Sequence, residues 1–485
     1  MTVNAEYWQQ QRFDRVVAGG RTPEIDFTVP ELGGFAWVRG EILADEAALP
    51  LLDPSERARV VKKTDVGAQD WLQGTPLTLY RYTADPGSLL EFVAEWRRRD
   101  AATGRTPKVA LHYVLTGEMT PMVPRGGPAS NPWVSAALGA PVVTGVPTDS
   151  PVVAVLDTGI DVNSAVGRLR FDPAVSPDTW CVFDAGLDVD ALVPQGSKGV
   201  ALGTEAGHGT FIASIVSRQS GGVRVAVLKV LDADGFGCEQ SVVEGLRRIR
   251  LGLPGGWADR VAVVNLSLGG FTDNGLWATT TPAGQAPKYT QQLIDGYAIY
   301  HSLSDQMPIG LAEELKLWKD TAVSSTVIVA AAGNDGQARK FWPAAAADPA
   351  NNIEGPTIVA VGSLDGTLSP SDFTNTGSWV TVSTLGEEIV GDFPAGDYPL
   401  DEQQSESFAG GGARWSGSSF AAPIVAAAIA RNVVSANLPG QAATGQTGWT
   451  AVQQQLAAAK AASVPGLGLV FDPRQHGLKL DPRIG

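Results

Sequence analysis

"VVAVLDTGID", residues 152–161, decides how the rest of the chain is read. Five apolar residues precede Asp157, three of them valine, with no polar residue interleaved. A run this short, lacking the alternation of a half-wet strand, reads as a strand buried on both faces, the kind a parallel sheet uses. The same pattern recurs in "VRVAVLKVLD" (223–232), "VAVVNLSLG" (261–269), "VIVAAAG" (327–333) and "TIVAVGSL" (357–364). Helix-like stretches lie between these runs, at about 208–218, 239–250 and 309–321, and a tail helix is expected at 449–463. Strands alternating with helices imply an α/β domain with a doubly wound, mostly parallel sheet. Functional residues in such a sheet gather at the carboxyl ends of the strands, which singles out Asp157 and Asn334.

A second stretch, "SGSSFAAPIVAAAIARNVV" (416–434), is apolar nearly all the way round until Arg431 and reads as a helix buried on every side. Ser419 stands at its entrance, where unpaired backbone N–H groups and the helix dipole favour developing negative charge. Pro423 is read as lying within the first turn, where a missing N–H costs nothing. A serine so held could serve as a nucleophile if a base and an orienting acid are found elsewhere. Four histidines are available. His208, between two glycines in "GHGTFIASIV" (207–216), opens a helix; His112, His301 and His476 have no comparable setting and read as structural or surface residues. Asn334, closing "VIVAAAGND", carries an amide that could donate to an oxyanion beside the Ser419 N–H.

Together Asp157, His208, Asn334 and Ser419 resemble the active site of the subtilisin-like serine proteases. "LDTGI", "GHGT", "NLSLGG", "VAAAGN" and "SGSSFAAP" stand in that family's order across roughly 151–437. The resemblance implies a serine endopeptidase in which Ser419 attacks, His208 moves the proton, Asp157 orients the imidazole and Asn334 binds the oxyanion. It further implies that Gly235-Phe236-Gly237 and Ser267-Leu268-Gly269-Gly270 pair with extended substrate, while Ala331, Ala332 and Gly333 wall the first specificity pocket. No cofactor is expected for the chemistry; a structural calcium ion is allowed, with no ligand assigned. The chain departs from the pattern at Ser418, usually threonine, and Phe420, usually methionine. The segment 271–325 is longer than expected and carries Trp277, Tyr289, Tyr297, Tyr300 and Trp318. Seven acids and no Lys or Arg lie in 387–406, read as a solvated loop.

Length and totals bound the remaining choices. A chain of 485 residues with 36 Lys and Arg against 51 Asp and Glu carries a net charge of −15. That balance argues against nucleic acid or an anionic membrane as partner. There is no apolar leader in "MTVNAEYWQQQRFDRVV", so the expectation is a soluble, cytoplasmic protein acting on proteins or peptides. Two cysteines, Cys181 and Cys238, read as buried thiols rather than a disulfide scaffold. Three regions are expected: an N-terminal α+β region at 1–118, a Pro/Gly-rich linker at 119–150 and the peptidase domain at 151–485. The first holds a strand at 75–84, an amphipathic helix at 86–101 and a strand at 108–117. Two roles stay open for it, a cleaved pro-region or an accessory domain that receives a regulatory partner.

Competing readings fare worse. An aspartic protease, suggested by "LDTGI", needs a second carboxylate motif, and "FDAG" (183–186) is a poor copy. A nucleotide-binding protein lacks both a G-x-G-x-x-G turn after a strand and the P-loop lysine. The alternative from another class is a catalytically latent protein that acts as a regulated or partner-binding module; the intact four-residue set counts against it.

Overall fold

The computed structural model describes residues 25–27, 35–65, 67–117, 133–134, 150–164, 181–182, 186–193, 201–220, 223–252, 260–272, 306–351, 353–399, 405–436, 444–476 and 478. Within the N-terminal region, β1 (Ile25–Phe27), β2 (Ala36–Asp45), β3 (Val60–Lys62), β4 (Leu77–Tyr82) and β5 (Val109–Gly117) form an antiparallel sheet. Helix α1 (Leu89–Ala101) covers it with Leu89, Phe92, Val93 and Trp96, and the Trp96 indole donates to Ala48 O at 2.9 Å. The strands expected at 75–84 and 108–117 and the helix at 86–101 are present with slightly shorter bounds; residues 86–88 make a 3-10 turn before the helix.

After β6 (Trp133–Val134), the main sheet takes β7 (Val152–Asp157), β8 (Cys181–Val182), β9 (Arg224–Lys229), β11 (Val261–Leu266), β13 (Val327–Ala331), β14 (Thr357–Leu364) and β15 (Val382–Leu385). These run parallel in the spatial order β15-β14-β13-β11-β7-β9-β8, and β18 (Ser463–Val464) and β19 (Gly468–Val470) extend the β15 edge. The chain winds outward from β7 to β9 and then returns to β11 on the other side of β7. That reversal opens a crevice at the carboxyl ends of β7 and β11.

The side chains of these strands alternate between two cores. Val153, Val155, Val225, Val227 and Val329 pack with α2 (His208–Ser220), α5 (Ser418–Ala436) and α6 (Gly445–Ala458). Ala154, Leu156, Leu228, Val264 and Ile328 pack on the other face with α3 (Glu239–Arg250) and α4 (Ile309–Lys316). The second core also contains Trp71, Trp96 and Leu111, so the N-terminal sheet shares it. Mixed α/β architecture with a mostly parallel sheet is therefore as expected.

Helix α5 is buried from Ser418 to Ala430, and Arg431 is its first exposed residue, as its composition implied. Its length and apolarity would suffice to cross a membrane, but 78% of Ser418–Ser435 is buried inside the protein, as befits a core helix. Pro423 is the sixth helical residue, not part of the first turn. The N–H it lacks would have bonded Ser419 O; the Ser267 hydroxyl donates to that carbonyl instead, at 2.7 Å.

Other bounds shift as well. The helix expected at 309–321 ends at Lys316, because Trp318 turns inward, fully buried, and donates its indole N–H to Glu314 at 3.1 Å. The tail helix starts at Gly445, capped by Thr444, and ends at Ala458. The acidic stretch is not a solvated loop in its described part: β16 (Ile389–Pro399) and β17 (Ser405–Trp415) form a long hairpin, to which β6 adds. Asp392 is buried there and paired with Arg218 of α2 at 2.6 Å. Trp277, Tyr289, Tyr297, Tyr300, His301 and Phe183-Asp184-Ala185 of "FDAG" lie outside the described residues.

Candidate active site

Asp157 ends β7 and His208 opens α2, and the fold brings them together: His208 Nδ1 lies 2.8 Å from Asp157 Oδ1. The same carboxylate oxygen accepts the Thr158 N–H at 2.8 Å. Both residues are buried, which strengthens the charge–imidazole interaction relative to water. The turns that carry them interlock. Thr158 Oγ1 donates to Asp190 at 3.0 Å and accepts the Gly209 N–H at 3.1 Å, while Asp190 also accepts the Gly207 N–H at 2.8 Å. Asp190 itself is held above the usual carboxylate range by burial, against the opposing N–H donors of Leu192 and Gly207. Gly209 is required here because a side chain at that position would strike the Gly159 carbonyl.

Ser419, the second residue of α5, is buried at the helix start. Its hydroxyl lies 3.4 Å from Ser267 O, at the end of β11, and Asn265 Nδ2 donates to Ser267 Oγ at 2.9 Å. Asn334 follows β13 and accepts the Ser418 N–H through Oδ1 at 2.8 Å, which turns its amide N–H₂ away from Ser418. The Nδ2 atom lies 3.0 Å from where a side chain on Gly417 would begin. Ser418 does its own work: its hydroxyl accepts the Gly333 N–H at 3.0 Å, a bond that threonine would make equally well.

Aromatic rings around His208 were not legible beforehand. Trp415 from β17 and Phe420 from α5 both stand 5.3 Å from the imidazole centroid, edge to face. Phe420 also packs on Phe211 at 4.8 Å. Phe420 thus helps fix the histidine ring. Asn375 is another residue the sequence did not flag. It accepts the Asp335 and Gln337 N–H groups, each at 3.0 Å, and donates to Ala332 O at 3.0 Å, locking the turn that carries Asn334.

Ala331, Ala332 and Gly333 are buried beside this turn. The two segments expected to hold substrate are paired by the chain itself. β10 (Phe236–Cys238) and β12 (Leu268–Gly269) both pair antiparallel with β5, with Phe236 and Gly269 opposite Thr116 and Leu268 opposite Gly117. Gly117 N also donates to Gly235 O at 2.7 Å. Gly270 instead pairs on the far side, exchanging two 2.9 Å bonds with Trp342. The N-terminal sheet therefore continues into the crevice and ends beside Ser267 and Ser419.

Next to this junction sits a buried polar cluster. His112, read from sequence as structural or surface, is buried, faces Glu41 at 2.7 Å and stacks on Trp71. Burial alone would lower its pKa, but the Cys238 thiol and Glu41 outweigh that and hold it up to about 10. Cys238 is a free, half-buried thiol rather than a buried one; burial would raise its pKa, and the His112 charge holds it below its ordinary value. The Cys181 side chain lies outside the described residues. Glu239, fully buried, is pushed up to about 7 by burial, against the His112 charge and the Leu311 and Gly310 N–H groups that it accepts. Among the described residues no group of three or more His, Cys, Asp or Glu side chains gathers as a metal site.

The fold thus places a buried aspartate–histidine pair and a helix-start serine at the ends of elements of a mostly parallel α/β sheet. The chain belongs to the subtilase family, whose model matches residues 148–463. Membership suggests a serine peptidase. Among curated relatives, a subtilisin-like protease of Coccidioides posadasii is 36% identical over 102 residues, 19% of this chain and 26% of that protein. Mycosin-4 of Mycobacterium tuberculosis is 34% identical over 111 residues, 21% of this chain and 24% of its own. The matched stretch thus spans about a quarter of each curated relative. Among solved structures, the patellamide maturation protease PatA aligns at a TM-score of 0.40 and 20% identity, covering 68% of this chain and 96% of its own. A cold-adapted subtilisin-like serine proteinase aligns at 0.37 and 19%, covering 68% and 91%.

Proposed function

We propose that the chain is a serine endopeptidase that cuts proteins or peptides, with Ser419 as nucleophile, His208 as base and Asp157 as the carboxylate that fixes the imidazole. In this reading Ser419 Oγ attacks the carbonyl carbon and its proton passes to His208 Nε2. The Ser419 N–H and the Asn334 amide hold the oxyanion, and the imidazolium then gives its proton to the leaving amine. Water, deprotonated by the same histidine, releases the acyl group and restores the serine.

The observation that carries the reading is β5, an extended strand accepted between β10 and β12 and running toward Ser419. A crevice that pairs both edges of one peptide backbone suits an extended peptide substrate. The same observation favours the pro-region role for residues 1–118 over an accessory domain: β5 fills the place a substrate would take, and the uncut chain is latent. Intact mass before and after a fluorophosphonate probe, beside Ser419→Ala, tests both halves. An adduct on wild type alone supports the nucleophile, and loss of the first ~118 residues before labelling supports the pro-region. Equal labelling of the two proteins would refute the assignment of Ser419.

A further inference from the structure

Resting on that peptidase reading, we propose that Glu205 makes the cleft selective for glycine at the residue just before the one whose carbonyl is attacked. The position follows from the register. Gly269 faces Thr116 and Leu268 faces Gly117, so a peptide continuing in the same register sets its next residue opposite Ser267. Ser267 O is the group 3.4 Å from Ser419 Oγ, so that next residue presents its carbonyl to the nucleophile. Gly117 occupies the position in question.

The space there is already taken. A side chain begun at Gly117 would lie 3.3 Å from both Cδ and Oε2 of Glu205 and 3.4 Å from Leu231 Cδ1. One methyl group demands that these neighbours shift by a few tenths of an ångström, and a branched side chain adds further atoms at the same place. Glu205 has little freedom to withdraw. Its Cγ lies against Gly235 where no side chain would fit. Its backbone is pinned in the tight turn before α2, with its N–H on Ala233 O at 2.9 Å and its carbonyl accepting the His208 N–H at 3.0 Å. Its Oε2 stands 3.8 Å from His208 Nε2, so swinging that way crosses the path of the proton. A carboxylate so placed also repels an acidic side chain. Glu205 touches the substrate backbone position without taking part in bond making, which makes it a specificity residue.

The test uses the full-length chain and competing peptides built on residues 114–120, Val-Leu-Thr-Xaa-Glu-Met-Thr, with Gly, Ala, Val or Lys at Xaa. Product ratios in one tube report relative kcat/KM whatever fraction of the enzyme is active. Glycine is expected to win over valine by at least about tenfold with alanine between, and Glu205→Ala to narrow the gap to about threefold. The same contest can be read within the chain: Gly117→Val speeds fluorophosphonate labelling of Ser419 by loosening β5, and adding Glu205→Ala slows it again. Equal use of glycine and valine, a preference for lysine, or a preference unchanged in Glu205→Ala overturns the proposal. So does a labelling rate that is the same in wild type, both single variants and the double. Labelling with no glycine preference sinks the subsite alone; no cleavage and no labelling of any variant sinks the peptidase reading and the subsite with it.

Discussion

Thr158 shows how much of the site depends on residues that do no chemistry. Its hydroxyl joins the turn after Asp157 to the turn holding His208, through Asp190 on one side and the Gly209 N–H on the other. Thr158→Val keeps the shape but leaves the buried Gly209 N–H without an acceptor and removes one of the two donors to Asp190 Oδ2, so it should cost about 1–3 kcal/mol of unfolding free energy. Urea denaturation measures this, and a change under 1 kcal/mol would mean that the two turns do not depend on the bridge. Under the proposed mechanism, in which the Asn334 amide holds the oxyanion, Asn334→Ala should lower kcat by about 10²–10³-fold with KM little changed, the size of losing one such donor. A variant whose KM rises while kcat holds would show instead that Asn334 binds the ground state.

Among the elements, α5 and α6 pack closely enough that one added methyl group matters. Gly448 of α6 lies against Ile429 of α5, where an added methyl group would overlap the Ile429 carbonyl and sit 2.7 Å from Val433 Cγ2. Gly448→Ala would be mildly favourable in an isolated helix, yet here it should destabilise by about 1–3 kcal/mol because backbone must move. A melting temperature equal to or above wild type would contradict that packing. The hairpin β16–β17 matters for a different reason. It delivers Trp415 to the imidazole edge and buries Asp392 against Arg218, so an acid-rich stretch becomes a wall of the site.

For the molecule as a whole, the N-terminal sheet and the main domain meet at titrating groups. Glu239 holds a proton up to a pH of about 7 in the folded state, whereas its ordinary value is 4.5. The folded protein therefore binds the extra proton between those values, and stability falls as pH rises from about 4.5 through about 7, by an amount of order 3 kcal/mol. His112, held up to about 10, keeps its proton in the folded state while the unfolded imidazole loses it near 6.5, so above that pH it adds to the same fall. Glu239→Gln keeps an acceptor for the Leu311 and Gly310 N–H groups and should flatten this slope, read as urea midpoints at pH 5 and pH 7.5. Parallel slopes in wild type and variant would assign the effect to another group.

Local signals were readable from the chain alone. β7 and β14 appear with the bounds their apolar runs gave, and Asp157, His208 and Ser419 each stand at the element end their neighbours implied, whereas β13 stops at Ala331 and Asn334 lies in the turn three residues beyond it. These readings work because a strand buried on both faces must be apolar throughout, and a helix start must leave N–H groups free. β2 escaped notice because Arg39, Gly40 and Glu41 interrupt its pattern at a change of register between Trp37 and Ile42. Only the tertiary structure decided that β5 lies between β10 and β12, that Glu205 fills the space beside Gly117 and that Trp415 and Phe420 flank His208. Antiparallel pairing is made by backbone N–H and C=O groups that every residue but proline carries, so no side-chain pattern announces which strands will meet. The sequence by itself determined the family and the element ends at which its motifs stand. The occupant of the cleft was settled by contacts between segments more than a hundred residues apart, where the physical cost of closing the loop is repaid only in the folded whole.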